Sequence, residues 1–356
     1  MTTYFLLPHP GMNAVFFSAS ASLSLAELSL CLQRLSAPCA AARVQTIAGL
    51  RYYAFDAEHP LSEPDIRILS RLSSLYALFM QEGKALIPIE ILRHQPFSEE
   101  LSSILKYTGK TNALFTRLLL HVAELSLDAA ENARSPDRSS ESIAAGEALR
   151  RPIRLLDPIA GKGTTLYEGL MRGFQVAGIE VVYKAAHESA VYFQKYLETE
   201  KWKHKVTKEK RHGAHSWRYA FARDKETLKL APGECIFVAG DAKDAVQFFG
   251  KSAFDIIAGD LPYGVAHGNI AGSQLSRSPK GLLEACLPAW HQALQPGGVV
   301  ALSFNTLTFS AESMAETLTR HGFFVHREPP YDAFAHRVDA SIRRDIVIAI
   351  KKKMQN

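Results

Sequence analysis

Asp157-Pro-Ile-Ala-Gly-Lys-Gly-Thr-Thr-Leu166 is the stretch on which the fold turns. It follows a short apolar run, Ile153–Leu156, and leads into Thr164–Arg172, which has helical composition. Gly161 and Gly163 remove two Cβ atoms, so the backbone can bend tightly and approach a ligand. The helix that follows offers unpaired N–H groups to an anionic group such as a carboxylate. Strand, glycine turn and helix form the opening unit of an open α/β sheet, where ligands bind beyond the carboxyl ends of the strands. Two other glycine-loop readings fail on the letters. A Walker A loop needs Gly-x4-Gly-Lys-Ser/Thr, but Leu156 stands at its first glycine and Gly163 follows Lys162. A nicotinamide fingerprint needs a third glycine at position 166, which is Leu.

Outward from this turn, the C-terminal half alternates short apolar strands with helices. The pattern predicts strands at Val176–Val181, Ile236–Ala239, Phe254–Ala258 and Val299–Phe304. Helices are expected at Lys184–Glu198, Ala242–Phe249, Gly281–Leu294 and Glu312–His321. Phe323–Arg327 and Asp345–Ile350 are two late strands suited to an antiparallel edge pair. The fold class is therefore α/β, a doubly wound Rossmann-like sheet.

Residues 1–95 read as a smaller α+β domain of ferredoxin-like type. Strands are expected at Tyr4–Leu7, Ala14–Phe17 and Ala85–Ile91, with a strand or hairpin over Val44–Phe55 turning at Gly49. Helices are expected over Leu23–Leu35, which carries Glu27, and over Asp65–Gln81, whose leucines form one stripe. Residues 96–150 read as a helical connector, with an apolar helix at Leu114–Leu127, followed by a polar linker. Residues 151–356 hold the large sheet, with a basic insertion at 200–232.

The chain has 356 residues, 47% of them hydrophobic and 22% charged, the profile of an ordinary globular protein with room for two cores. No apolar run approaches the roughly 18 residues of a membrane span. The first residues lack the basic and apolar regions of a signal peptide. Cys31, Cys39, Cys235 and Cys286 show no metal-binding spacing. A cytoplasmic, metal-free protein is the expectation. The net charge of +5 is unevenly placed. Between Lys201 and Lys229 ten basic residues face three acidic ones, so this stretch carries +7 and points to a polyanionic partner. Lys203, Lys205, Lys208, Lys210 and Arg211 are the candidate phosphate contacts, with Trp202, His204, His212, Trp217 and Tyr219 interleaved for stacking.

Acidic residues recur at the strand ends. Asp157 closes the first strand of the sheet and Glu180 the second, 23 positions on, where a carboxylate can take two ribose hydroxyls. Asp241 follows the third strand, where it could contact a bound base or cap the next helix. Asp260 closes the fourth strand and opens Gly259-Asp-Leu-Pro-Tyr-Gly264. This loop resembles the (Asp/Asn/Ser)-Pro-Pro-(Tyr/Phe) loop with which amino-methyltransferases hold an exocyclic base amine, a poor nucleophile because its lone pair is delocalised into the ring. The Asp260 carboxylate and the Leu261 or Pro262 carbonyl can hold both N–H groups of such an amine. Pro262 stiffens the loop and Tyr263 offers a flat face to the base.

These motifs resemble those of the RNA methylases related to tRNA guanine-N2 methyltransferases, a class I group often carrying a THUMP domain. The likeness spans residues 98–351 and rests on Asp157–Leu166 and Asp260–Gly264. The basic run Lys203–Arg211 is similar to an insert in some of these relatives. The resemblance implies S-adenosylmethionine as cofactor, held by Asp157, Pro158, Ala160, Gly161, Gly163, Thr164, Thr165, Glu180, Asp241, Ala242 and Asp260. It implies Asp260, Pro262 and Tyr263 as the residues that position a guanine amine in RNA, tRNA above all. The segment Thr111–Leu120 resembles one that folds over the methionine end, with Asn112, Phe115 and Thr116 as candidates. Lys162 departs from the commoner small residue, and the N-terminal part matches at most the leading half of a THUMP unit with its companion. A DNA adenine or cytosine amino-methyltransferase uses the same loop, although no separate target-recognition domain is visible. A protein-glutamine methyltransferase would favour Asn at position 260. An RNA-binding module that lost catalysis is the reading from a different class.

Overall fold

The computed structural model describes residues 1–9, 14–92, 96–103, 112–132, 151–262 and 279–352. Its N-terminal unit runs β1 (Thr2–Pro8), α1 (Ala14–Leu32), β2 (Arg43–Ile47), β3 (Leu50–Ala57), α2 (Glu63–Ser70), β4 (Leu75–Glu82) and β5 (Ala85–Ile89). The strands form one antiparallel sheet in the order β2-β3-β1-β4-β5. Gly49, at φ 78°, turns the β2–β3 hairpin.

Two local expectations fail here. Ala14–Phe17, read as a strand, is the first turn of α1. No Gly or Pro stands between Ala14 and Leu35, so nothing interrupts the helix to allow a separate strand. Asp65–Gln81 is not one helix. A capping box on Ser62 and Asp65 starts α2, which ends at Ser70, and Leu75–Glu82 pairs with β1. Between them, Ser73 donates its backbone N–H (2.9 Å) and hydroxyl (2.6 Å) to buried Glu27 of α1. That tertiary demand overrides the helical periodicity of the leucines.

A short helix α3 (Glu100–Ser103) precedes α4 (Ala113–Asn132). Helix α4 is apolar on most of its circumference because it is covered on both sides. It packs on α1 of the small unit and on the large sheet, so what read as a connector is a core layer. Its polar residues tie further elements together. Arg117 pairs with Glu168 (3.1 Å), His121 meets Glu27 (2.7 Å), and Glu124 holds both Arg71 and Arg172.

The large sheet comprises β6 (Arg154–Asp157), β7 (Gln175–Glu180), β8 (Lys203–Arg211), β9 (Ala214–Ala222), β10 (Gly233–Ala239), β11 (Phe254–Asp260), β12 (Leu294–Asn305), β13 (Phe323–Val325), β14 (His336–Arg337) and β15 (Arg343–Lys351). Helices α5 (Thr164–Met171), α6 (Tyr183–Thr199), α7 (Lys225–Leu230), α8 (Ala245–Phe249), α9 (Pro279–Ala293) and α10 (Ala311–Arg320) fill the connections. The order is β13-β15-β12-β11-β6-β7-β10-β9-β8, with β14 on β15. Strands β6, β7, β10, β11 and β12 are parallel, and β13 and β15 form an antiparallel edge pair. This is a Rossmann-like α/β sheet. Two apolar clusters cover its faces, one around Leu155, Val176 and Phe193, the other around Leu156, Ile257 and Trp290.

The basic insertion is not a loop. Strands β8 and β9 form a hairpin that extends the sheet through β9 against β10. Trp202 and Tyr219 sit in the core, 7% and 1% exposed, rather than offering faces to solvent. Trp202 stacks on Phe97 with ring centroids 4.4 Å apart, and the Tyr219 hydroxyl donates to the Ala190 carbonyl (2.7 Å).

Candidate cofactor and substrate site

Strand β6 is the first of the parallel set, and the chain winds to β7 and β10 on one side of it and to β11 and β12 on the other. The switch point lies between β6 and β11, and the acids Asp157 and Asp260 end those two strands. That is where an open α/β sheet binds ligands. Gly259 makes the approach possible: a Cβ there would lie 2.9 Å from Asp157 Oδ1 and 3.0 Å from Ile159 Cγ1.

Asp157 is 2% exposed and accepts from the Ile159 N–H (3.0 Å) and from Thr165. Burial raises its pKa to about 7, against the pull of those two hydrogen bonds, and the nearby Asp260 and Glu180 charges push the same way. The turn after it runs through Gly161 at φ 53° and Gly163 at φ 86°, the left-handed region that glycine reaches without strain. Pro158 and Ala160 lie on this turn, and the Ala160 N–H bonds the Ile179 carbonyl (2.9 Å), pinning it to β7. Thr164 and Thr165 open α5 and are buried. Lys162 leans away to pair with Glu188 on α6 (3.0 Å).

Glu180, at the end of β7, accepts the Gly161 N–H on Oε2 (3.0 Å) and the Val182 N–H on Oε1 (2.8 Å). A carboxylate has about four lone-pair positions, so each oxygen keeps capacity for a hydroxyl donor. Burial raises the Glu180 pKa, the two backbone donors opposing it. Asp241 caps the 3-10 turn Ala242–Asp244 through the Lys243 N–H (3.0 Å), and its other oxygen faces Lys243 Nζ at 3.1 Å. Ala242 is buried against the Trp290 indole, which donates to its carbonyl (3.1 Å). The open turn at Gly161, the Glu180 carboxylate and the Asp241 side chain fit an adenosyl ligand carrying an amino-acid end.

Just past the end of β11, the Leu261 N–H bonds the Ser303 carbonyl (2.9 Å); Leu261 is buried and Pro262 is exposed. Tyr263 and Gly264 lie outside the described residues. Sequence reasoning missed Arg344. Its guanidinium reaches Asp260 (4.0 Å) and lies over the buried Phe115 ring at 4.5 Å. No local signal marks it; the β12–β15 register, which sets Asn305 opposite Arg344, brings it there. Phe115 and Thr116 are buried in α4, and Asn112 accepts the Leu114 N–H (2.9 Å) at the start of that helix. The hairpin register divides the basic candidates between two faces. Lys208 and Lys210 share a face with Trp217 and His215, while Lys203, Lys205 and Arg211 lie on the other, where Arg211 donates to the Phe248 carbonyl (3.2 Å).

Among the described residues no cluster of His, Cys, Asp or Glu could hold a metal ion, and no helix is long and apolar enough to cross a membrane. No family model and no curated protein matches the chain. Solved structures similar to it include a TehB-like S-adenosylmethionine-dependent methyltransferase from Corynebacterium glutamicum, at 15% identity over 65% of this chain and 98% of that one, with a TM-score of 0.34. A protein described as a candidate RNA methyltransferase from Pyrococcus horikoshii is 14% identical over 72% and 98%, with a TM-score of 0.39. The 1,6-didemethyltoxoflavin-N1-methyltransferase of Burkholderia thailandensis, solved with S-adenosylhomocysteine, is 16% identical over 70% and 94%, with a TM-score of 0.33. Likeness at this level carries no substrate and no residue role to this chain.

Proposed function

We propose that this chain is an S-adenosylmethionine-dependent N-methyltransferase acting on an exocyclic base amine in RNA, with guanine N2 of tRNA as the target. The observation that carries this reading is the row of acids at the ends of adjacent parallel strands, Asp157 and Asp260 flanking the switch point. Pro158, Ala160, Gly161, Gly163, Thr164 and Thr165 would receive the methionine end, Glu180 the ribose hydroxyls, and Asp241 with Ala242 the adenine. The bound cofactor supplies a methyl group on a positive sulfonium.

Positioning does most of the work required of the protein. The Asp260 carboxylate and the Leu261 or Pro262 carbonyl would accept the two amine N–H groups and aim the lone pair at the methyl carbon. With the methyl group supplied by the bound cofactor, the surplus amine proton would pass to Asp260 or to water. The target base has to leave its stack to enter, which favours single-stranded or loop positions. Arg344, facing Asp260 from β15, is placed to orient that carboxylate.

The test is methyl transfer from labelled S-adenosylmethionine to tRNA, rRNA and DNA in parallel, followed by nucleoside digestion. Label in N2-methylguanosine from tRNA is expected; label in DNA alone would move the enzyme to the amino-methyltransferases of DNA. In the same assay Asp260→Ala should lower turnover by about 10²-fold or more while cofactor affinity stays within a few-fold. Full activity in that variant would sink the mechanism. Absence of both label and cofactor binding would favour a binding module.

A further inference from the structure

The edge hairpin and the start of α6 enclose an open groove of about 470 Å³ lined by Tyr183, His187, Lys208, Lys210, His215 and Trp217. Its position follows from the strand register. Glu180 pairs with Ala239, Ala239 with His215, and His215 with Lys210, so one rung of the sheet runs from the ribose-binding acid to the groove. Adjacent strands lie about 4.8 Å apart, which puts the His215 backbone about 10 Å from that of Glu180. Strands β9 and β10 are antiparallel, and this brings the hairpin's turn to the edge of the sheet where the parallel strands end.

The groove holds four rings, each in contact with at least two of the others. Tyr183 stacks on His187, one helical turn away, with centroids 5.7 Å apart and planes 11° from parallel. His215 meets Tyr183 edge-on at 5.2 Å and lies 24° from the plane of Trp217. Trp217 is the buried floor at 6% exposure, whereas Tyr183 is 49% exposed and both histidines are exposed. Lys208 and Lys210 stand on the same face of the hairpin, paired with Trp217 and His215. The carboxylate of Glu209 between them is taken by Arg211 (2.8 Å).

Exposed flat rings beside two ammonium groups match the chemistry of a nucleotide, a π-face with a phosphate attached. We infer that this groove is a stacking subsite for one unpaired RNA nucleotide of the strand that carries the target base, with Lys208 and Lys210 meeting its phosphate. The inference rests on the RNA reading above and deepens it. The +7 insertion then has a definite role. It holds the strand about two sheet strands beyond the cofactor, so that the target nucleotide enters from a fixed direction.

The experiment is fluorescence anisotropy with a 5′-labelled single-stranded 12-nucleotide RNA across a salt series. It compares wild type, Tyr183→Ala/His215→Ala, Lys208→Ala/Lys210→Ala, and Lys225→Ala/Lys229→Ala as a control with the same charge change on α7. S-adenosylmethionine affinity by calorimetry and thermal melts are measured on each. The ring variant should weaken RNA binding by about tenfold or more. The first lysine pair should lower the slope of log K against log salt by about 1–1.4, more than the control pair does. Cofactor affinity and melting temperature should hold. Unchanged RNA binding in the ring variant and the first lysine pair, with tight binding by wild type, would overturn the subsite and leave the RNA reading intact. Loss of cofactor affinity together with RNA would overturn it by assigning the groove to the cofactor. A wild type that binds cofactor but no RNA, or DNA more tightly than RNA, would overturn the RNA reading itself.

Discussion

Two sets of enclosed carboxylates divide this molecule. At the joint around α4, Glu124 is met by Arg71 and Arg172, and Arg117 by Glu168 and Glu99. Burial raises the Glu124 pKa, but the arginines overcome it and hold the group at about 2. At the sheet's switch point, Asp157 is more deeply buried than Glu124 and has backbone and hydroxyl donors instead of a cation, and its pKa rises to about 7. The first set spends its acids on internal partners and ties the two sheets together. The second brings Asp157 near the Asp260 and Glu180 charges, the arrangement expected of a binding site. Burial alone does not identify a site, since it also raises the pKa of Glu168 in the joint despite Arg117; the place of the acids at adjacent strand ends sets the second group apart.

The sharpest way to break this comparison is Glu124→Gln, which leaves Arg71 and Arg172 facing a neutral amide. Stability should drop by about 3–5 kcal/mol in urea unfolding, the cost of orphaning an enclosed charge. A loss under about 1 kcal/mol would show that the joint does not depend on the pair.

Asp157→Asn should work in the opposite sense. The folded pKa of Asp157 lies above the 3.8 of an ordinary aspartate, so the folded state keeps the proton that the unfolded chain releases. Its contribution therefore favours folding most below pH 4 and is lost as pH rises from about 4 to 7. A shift of this size is worth on the order of 4 kcal/mol across that window. The asparagine variant should lack this decline, so the difference between the two stability curves should grow from pH 4 to 7 and then level off. Parallel curves would mean that Asp157 ionises like an exposed aspartate.

Glu180→Gln tests the smallest of the three effects. It should leave stability within about 1 kcal/mol and cost about tenfold or more in cofactor affinity by calorimetry, the range for hydrogen bonds to a charged group. Unchanged affinity would remove Glu180 from the site.

Much of the large sheet was legible in the letters because its signals are local. Each parallel strand is a short apolar run ending at an acid or a turn, and each begins or ends within a few residues of its expected place. The glycine turn could be read because Gly161 and Gly163 do their work within one loop. The N-terminal unit resisted for the opposite reason. The leucines of Asp65–Gln81 have helical spacing, but Ser73 answers Glu27 across 46 positions, and the segment beyond it becomes a strand. The insertion misled in a related way. Its aromatics alternate with lysines in sequence, and this reads as one mixed surface, whereas pairing buries Trp202 and Tyr219 and sets Lys203 and Lys205 on the face away from Lys208 and Lys210.

By itself, then, the sequence determined the parallel α/β sheet, the glycine turn and the order of acids along it. These follow from apolar periodicity and from backbone freedom at single residues. Only the tertiary structure decided that Asp157 and Asp260 flank one switch point with Gly259 making room, and that Arg344 faces Asp260. It alone made α4 a shared core layer and set Lys208 and Lys210 beside His215 and Trp217. Each of these depends on strand register between distant segments, and register is selected by burial of whole faces rather than by any residue's own preference.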